Sequence, residues 1–273
     1  WDEAETFPRE LYKKAADIGL LGVGFDENYG GIAGTDAFYT LLASVELAKC
    51  ASGGLAASLL SHTIGTPPIQ HFAQEEVKAE VLPKILSGEK ISALAITEPS
   101  GGSDVAALKT KAVRDGDDYI VSGEKTFITS GIRADYYSVA VRTDPDAKGA
   151  NGISMLLIDA HSEGITKSKL DKMGWWASDT AHLHFDNVRV PAKNLLGAEN
   201  MGFFVIMNNF NMERFFLAAS SYGYALVCYE EALDWAQQRQ TFGKRLIDHQ
   251  VVRHKLVDMA TRLTSTRALL EDT

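Results

Sequence analysis

The sequence predicts an α+β protein in three parts: a helical N-terminal domain over 1–89, a central antiparallel β sandwich or barrel over 90–197, and an incomplete C-terminal helical bundle over 198–273. Three observations predict it. Apolar residues recur at helical spacing as far as Glu89, the spacing becomes strand-like at Lys90 and stays so through eight short runs, and helical spacing returns after Gly197. Length alone suggests about two domains, and the change of period divides the chain further.

Composition bounds the function. At 45% hydrophobic and 9% aromatic residues the chain has apolar material for a sizeable core, so disorder is not expected. A formal charge of -9 and a pI near 5.3 leave no electrostatic footprint for nucleic acid or for an anionic membrane. Cys50 and Cys228 are far apart, which excludes a CxxC redox or zinc motif and suits a reducing compartment. No apolar run approaches a membrane span, and WDEAETFPRE lacks a basic region followed by an apolar one. A soluble protein of the cytoplasm, or of the mitochondrial matrix in a eukaryote, is expected. The chain begins without Met and stops within a helical pattern at Glu271-Asp272-Thr273, which reads as a piece of a longer protein.

Taken in order, Pro8 to Ile18 carries Leu11, Ala15 and Ile18 on one helical stripe that Gly19 ends. The glycine-rich GLLGVGFDENYGGIAG lacks G-x-G-x-x-G between a strand and a helix, so a Rossmann fingerprint is excluded. Thr35 is expected to cap a helix running to about Lys49, Leu55 to His62 reads as a third helix, Pro67-Pro68 divides it from the next piece, and Glu75 to Leu86 is the last of this part. Strands are expected at Ile91–Ile96, Lys109–Val113, Tyr119–Val121, Lys125–Thr129, Tyr136–Arg142, Ile153–Ile158, Ile165–Leu170 and Ala181–Val190, with turn clusters such as Asp115-Gly116-Asp117 between them. Beyond Gly197, Phe215, Ala218, Tyr222, Leu226, Tyr229 and Leu233 form one helical stripe, and Val252, Leu256, Met259, Leu263, Thr266 and Leu270 have the spacing of a bundle seam. Between the two helices Arg239 to Lys244 forms a turn with two cations and an aromatic.

The stretch from Ala93 to Gly131 carries the clearest binding signal. An apolar strand breaks at Thr97-Glu98-Pro99 into Ser100-Gly101-Gly102-Ser103-Asp104, a loop in which glycines let backbone approach a ligand closely. Beyond a Ser122-Gly123 turn, Phe127 and Thr129 stand two apart on a strand and share a face, a ring and a hydroxyl suited to a flat heteroaromatic ligand. An ordinary hairpin with a surface turn fits the same spacing, and the residues alone leave both readings open.

Other constellations carry less. His182 and His184 are two apart on a strand without a third ligand, which reads as surface or structural histidine, and no metal is expected. Adjacent Glu230 and Glu231 point different ways on a helix. There is no P-loop and no G-x-S-x-G elbow. Glu213 enters an otherwise apolar helix near its start, where the helix dipole favours a carboxylate; a first-turn charge facing solvent is the alternative.

The succession AITEPSGGSD, GEKTFITSG, MGWWASDTAHLHFDNVRVPAKNLLG, NMERFFLAA and QRQTFGKRLIDHQ resembles the acyl-CoA dehydrogenase family in order and spacing, across nearly the whole chain. The resemblance implies a helical N-terminal domain, a β domain and a C-terminal four-helix bundle, assembled as a homotetramer with FAD between domains and subunits. It implies α,β-dehydrogenation of a saturated acyl-CoA to a trans-2-enoyl-CoA, as in fatty acid β-oxidation, with electron-transferring flavoprotein as the partner that re-oxidises the flavin. By matching position, Thr97 and Thr129 would hydrogen-bond the flavin ring, Phe127 would lie beside it, and Ser103 would contact FAD phosphates or the CoA portion of the substrate. Arg239, Thr241, Phe242 and Gln250 resemble the turn that reaches the FAD of a neighbouring subunit. Asn211 and Arg214 would line the CoA channel. Phe127 stands where many members have Trp, and Leu94 replaces a common aromatic. In most members the catalytic glutamate lies in a later C-terminal segment; in the isovaleryl-CoA and long-chain branches it opens this bundle helix in an E-R pair, and Glu213-Arg214 matches that placement. Acyl-CoA oxidases and flavin monooxygenases of similar architecture, and an assembly module lacking FAD, are the competing readings.

Overall fold

The computed structural model describes every residue from Trp1 to Thr273, in two compact units: residues 1–35 with 54–213, and residues 36–53 with 214–273. The first unit opens with α1 (Glu10–Asp17) and two short 3-10 turns, and continues after residue 53 with α3 (Gly53–Leu60), α4 (His62–Gly65), α5 (Pro67–Phe72) and α6 (Glu75–Leu86). The expected single helix from Leu55 to His62 is broken after Leu60. Ser61 turns its hydroxyl back to the Ser58 carbonyl at 2.7 Å, a local bond that competes with helix propagation. Pro67-Pro68 divides α4 from the two further helices α5 and α6 as expected, with Pro67 at the first position of α5, where its missing N–H is no loss.

The strands are β1 (Ser92–Ala95), β2 (Lys111–Asp115), β3 (Asp118–Thr129), β4 (Tyr136–Arg142), β5 (Ile153–Asp159), β6 (Ile165–Lys169) and β7 (Thr180–Pro191). They form one sheet in the order β1-β4-β2-β3-β7-β6, with β5 on β4. Most pairs are antiparallel, but β1 runs parallel to β4 from Ser92↔Tyr136 to Ala95↔Val139, and β2 meets β4 in parallel at Lys111↔Arg142. β4 and β5 have nearly continuous apolar sequences because both of their faces are covered. Tyr137, Val139, Leu156 and Ile158 join a core with Tyr12 of α1 and Leu59 of α3. Ala140, Met155 and Leu157, facing the other way, join a second core with Ile69 of α5 and Val77, Val81, Leu82 and Ile85 of α6. β7, between β3 and the edge strand β6, alternates buried and exposed positions along much of its length, as a one-sided strand does.

Ser122-Gly123 is not a turn. β3 is one continuous strand along β7, with register shifts between Val121 and Gly123 and between Lys125 and Ile128. Gly123 sits at φ 147°, where a Cβ would lie 2.7 Å from Thr110, and the extra residue at this first shift is on β7, which advances from Val188 to Phe185 while β3 advances from Val121 to Gly123. The second shift places Phe127 at φ 59°, in the left-handed region.

The second unit contains α2 (Ala37–Ala48), residues 214–238 of α7 (Gly202–Gln238), the β8 (Gln240–Thr241) and β9 (Lys244–Arg245) hairpin, and α8 (Gln250–Asp272). Asp36, not Thr35, caps α2, accepting from the Phe38 N–H at 3.0 Å; the Thr35 hydroxyl is occupied by the Gly24 N–H and the Ile32 carbonyl. Leu41, Val45, Ala219 and Leu270 form a small core with Phe215 and Tyr222 against it. Gly223 lets α2 and α7 approach closely, since a Cβ there would meet Val45 O at 2.8 Å.

Candidate active site

The loop after β1 and the bulged end of β3 form one wall. The Thr126 N–H donates to the Thr97 carbonyl at 2.9 Å, which fastens the loop to the strand. Gly102 folds its backbone against the Thr97 side chain, where a Cβ would lie 3.1 Å from Cγ2. Thr97 and Thr129 are half-buried, Ser103 is exposed, and Phe127 presents its ring to solvent at 70% exposure. Phe127 is exposed between the buried Thr126 and Ile128, as alternation along a strand gives, and its left-handed backbone lies within the second register shift.

A charge pair holds this wall from behind. Lys125 Nζ lies 2.9 Å from Glu98 Oε1, with side chains 0% and 4% exposed, and also donates to the Ile96 carbonyl at 3.0 Å. Glu98 accepts in addition from the backbone N–H of Lys109 at 2.6 Å and of Thr110 at 2.8 Å. Burial pushes the Glu98 carboxyl up, but the Lys125 ammonium and the Thr110 bonds outweigh it and hold the group below the usual carboxylate range. Burial pulls Lys125 down to about 8 against the attraction of Glu98, so the ammonium persists at neutral pH. Sequence reasoning passed over both residues. The available signal was a lysine in the middle of a strand whose neighbours belong in a core, for which an acid must be found.

Behind Thr129 the wall rests on buried hydroxyls. Ser130, itself at φ 60°, bonds Ser61 at 3.0 Å and Ser58 at 3.3 Å, and Ser58 bonds Ser178 at 3.0 Å. A second carboxylate, Asp179, binds Arg133 and the Ile132 N–H, the latter at 2.7 Å, and fixes the turn that follows.

The remaining expected residues lie in two places. Asn211 and Glu213 belong to the first unit on α7; Asn211 is exposed, while Glu213 is half-buried with Oε2 shielded from solvent. Because α7 begins at Gly202, Glu213 does not stand at the helix start as expected but beyond the first turn, where the helix dipole no longer favours it. Arg214 opens the second unit's share of α7 and is exposed. Arg239, Thr241, Phe242 and Gln250 gather around the β8–β9 hairpin, whose turn residues Phe242 and Gly243 have φ 53° and 77°. Two successive left-handed residues make the tight turn that matches strand twist, and they leave Phe242 96% exposed. Thr241 Oγ1 lies 3.4 Å from His249 Nε2, and Arg245 grips Asp248 through two bonds of 3.1 Å, so the hairpin is braced at its base rather than at its tip. His184 faces Glu124 at 3.4 Å, and no group of three ligating side chains in the chain is arranged to hold a metal.

Residues 1–89, 93–188 and 200–273 match the N-terminal, middle and C-terminal domains of acyl-CoA dehydrogenase. The chain is 40% identical over 271 residues to an acyl-CoA dehydrogenase of Bacillus subtilis (strain 168), covering 98% of this chain and 71% of that protein. It superimposes with a TM-score of 0.95 on the crystal structure of acyl-CoA dehydrogenase from Geobacillus kaustophilus, at 40% identity over 100% of this chain and 72% of that one. A glutaryl-CoA dehydrogenase from Mycobacterium smegmatis in complex with FADH2 gives 0.91 at 33% identity, over 99% of this chain and 68% of that one. The chain belongs to the acyl-CoA dehydrogenase family. It spans 54 to 66% of the length of several other curated relatives that it matches.

The family is FAD-dependent, and the wall fits such a group. An aromatic ring turned out of a buried strand, two threonine hydroxyls beside it and a glycine loop with open space at Gly101, where a Cβ would meet nothing within 4 Å, supply an apolar surface, polar edge contacts and room for phosphates.

Proposed function

We propose that this chain carries out the α,β-dehydrogenation of a saturated acyl-CoA to a trans-2-enoyl-CoA, with Glu213 as the base. The observation that carries the proposal is the half-buried Glu213 within α7, with one carboxylate oxygen out of solvent, in a chain of this family. A carboxylate so placed has lost part of its hydration and suits a proton transfer within a closed site. Glu213 takes the α proton of the bound thioester, and the negative charge that develops toward the thioester oxygen is stabilised by hydrogen-bond donors there. FAD supplies the hydride acceptor for the β position. Thr97 and Thr129 meet the polar edge of the flavin, Phe127 packs beside it, and Ser103 contacts its phosphates or the CoA portion. Asn211 and Arg214 line the CoA path. An acyl chain in place excludes water from the Glu213 carboxylate. The three parts 1–89, 90–197 and 198–273 act as the family's N-terminal, β and bundle domains, in a homotetramer that passes electrons to electron-transferring flavoprotein.

Anaerobic titration of the protein with a panel of saturated acyl-CoAs tests the reaction. The flavin absorbance is expected to bleach and to rank the chain lengths. A yellow protein that no acyl-CoA bleaches, or one whose reduced form reacts rapidly with oxygen, would favour a monooxygenase or an oxidase instead.

Arg239, Thr241, Phe242 and Gln250 reach the FAD of a neighbouring copy in this reading. A fully exposed ring at the tip of a braced hairpin, with Arg239 and Lys244 exposed near it, suits contact with an anionic, aromatic ligand. Arg239→Ala is expected to lower flavin content and assembly, measured by the ratio of flavin to protein absorbance and by sedimentation. A fully loaded tetramer would remove that role.

A further inference from the structure

Three segments distant in sequence end at the Glu98–Lys125 pair: the loop after β1, the start of β2 and the bulge of β3. Glu98 binds the β2 entrance through the Lys109 and Thr110 N–H groups. The Thr110 hydroxyl returns to the Glu124 carbonyl at 3.1 Å, beside the same bulge. Lys125 spans from Glu98 to the Ile96 carbonyl, so one ammonium holds the residues on both sides of Thr97. Glu98 also closes a tight loop with Gly101 through backbone bonds of 3.1 and 3.0 Å, which sets the direction of the glycine segment toward Ser103. Both members of the pair lie one or two residues from a group assigned to the flavin: Glu98 follows Thr97, and Lys125 precedes Phe127 by two. The pair itself is turned away from the ligand surface, with both side chains out of solvent.

We infer that Glu98 and Lys125 are positioning residues that hold the loop at Thr97 and the bulge at Phe127 in the spacing FAD requires, so that the charge pair governs flavin affinity and flavin environment without touching the flavin. The inference rests on the functional reading above. A buried pair suits this task because its geometry is narrow: an ammonium shared between a carboxylate and a carbonyl tolerates little displacement, and the carboxylate is fixed by two amides. An apolar replacement restores burial but not the distance between the two segments.

The double variant Glu98→Gln/Lys125→Met removes both charges together and so avoids leaving one of them buried alone. It is compared with Glu98→Asp, which keeps the charge and shortens its reach by one methylene. Each is prepared as the full chain, stripped of flavin and titrated with FAD, with far-UV circular dichroism to establish folding. The expected result is a folded protein with an FAD dissociation constant raised at least about tenfold, and an altered visible circular dichroism band at saturating FAD, the double variant being the more affected. A general loss of stability would not change the flavin band of the saturated, folded protein. Wild-type affinity and an unchanged band in either folded variant would overturn the inference while leaving the functional reading intact. A wild-type chain that takes up no FAD would overturn both.

Discussion

Glu213→Gln is expected to leave flavin content and the visible spectrum unchanged and to slow the reduction of the flavin by saturated acyl-CoA by about 10²- to 10⁴-fold, the usual contribution of a positioned general base. The amide is isosteric with the carboxylate, so packing around position 213 of α7 is preserved while the proton acceptor is lost. Substrate affinity should change little, because the carboxylate acts on the α proton and not on the CoA portion assigned to Asn211 and Arg214. Rapid mixing of the oxidised protein with acyl-CoA under anaerobic conditions reads the chemical step apart from re-oxidation. Glu213→Asp should fall between the two, since it keeps the base but withdraws it along the side chain. If Glu213→Gln retains most of the wild-type rate, the base lies elsewhere in the protein.

The elements that proved legible are those whose pattern is local. Glu75 to Leu86 is plain because Val77, Val81, Leu82 and Ile85 mark one face. Tyr136 to Arg142 was equally plain, since a strand covered on both faces has an apolar run of its own. The misreadings came where tertiary contacts overrule local chemistry. Ser122-Gly123 has turn composition, but β3 pairs with β7 on both sides of it, so the glycine stays within one strand opposite a bulge in β7. Thr35 and Asp36 are both good caps, and only the competing bonds from Gly24 and to Ile32 decide between them. At the candidate site, the spacing of Phe127 and Thr129 along a strand points to both, yet the left-handed backbone and the register shift at Phe127 are shown by no spacing rule. Glu98 and Lys125 are 27 residues apart, and their partnership depends on how β1 and β3 are brought together, so nothing in either segment alone discloses it.

Lys125→Met should be the most destabilising single change among the residues discussed. It leaves Glu98 buried opposite a methyl group, and breaking a buried ion pair from one side costs about 3–5 kcal/mol. For a unit of this size that corresponds to a fall in Tm of roughly 6–20 °C. The pH dependence separates this cause from lost packing. In the wild-type protein the Glu98 carboxyl is held below its ordinary value, so the unfolded chain binds the proton more readily. That contribution is present above the unfolded value and is lost as pH falls through the folded one. Without Lys125 the largest influence that lowers Glu98 is gone while burial, the largest that raises it, remains, so the folded carboxyl moves up relative to the wild type. Protonation then relieves the variant, so the stability difference between the two proteins should narrow as pH is lowered from 7 toward 4. Chemical denaturation of both proteins across that range measures the difference directly. A constant gap would mean that Lys125 contributes through its aliphatic stem and not through its charge.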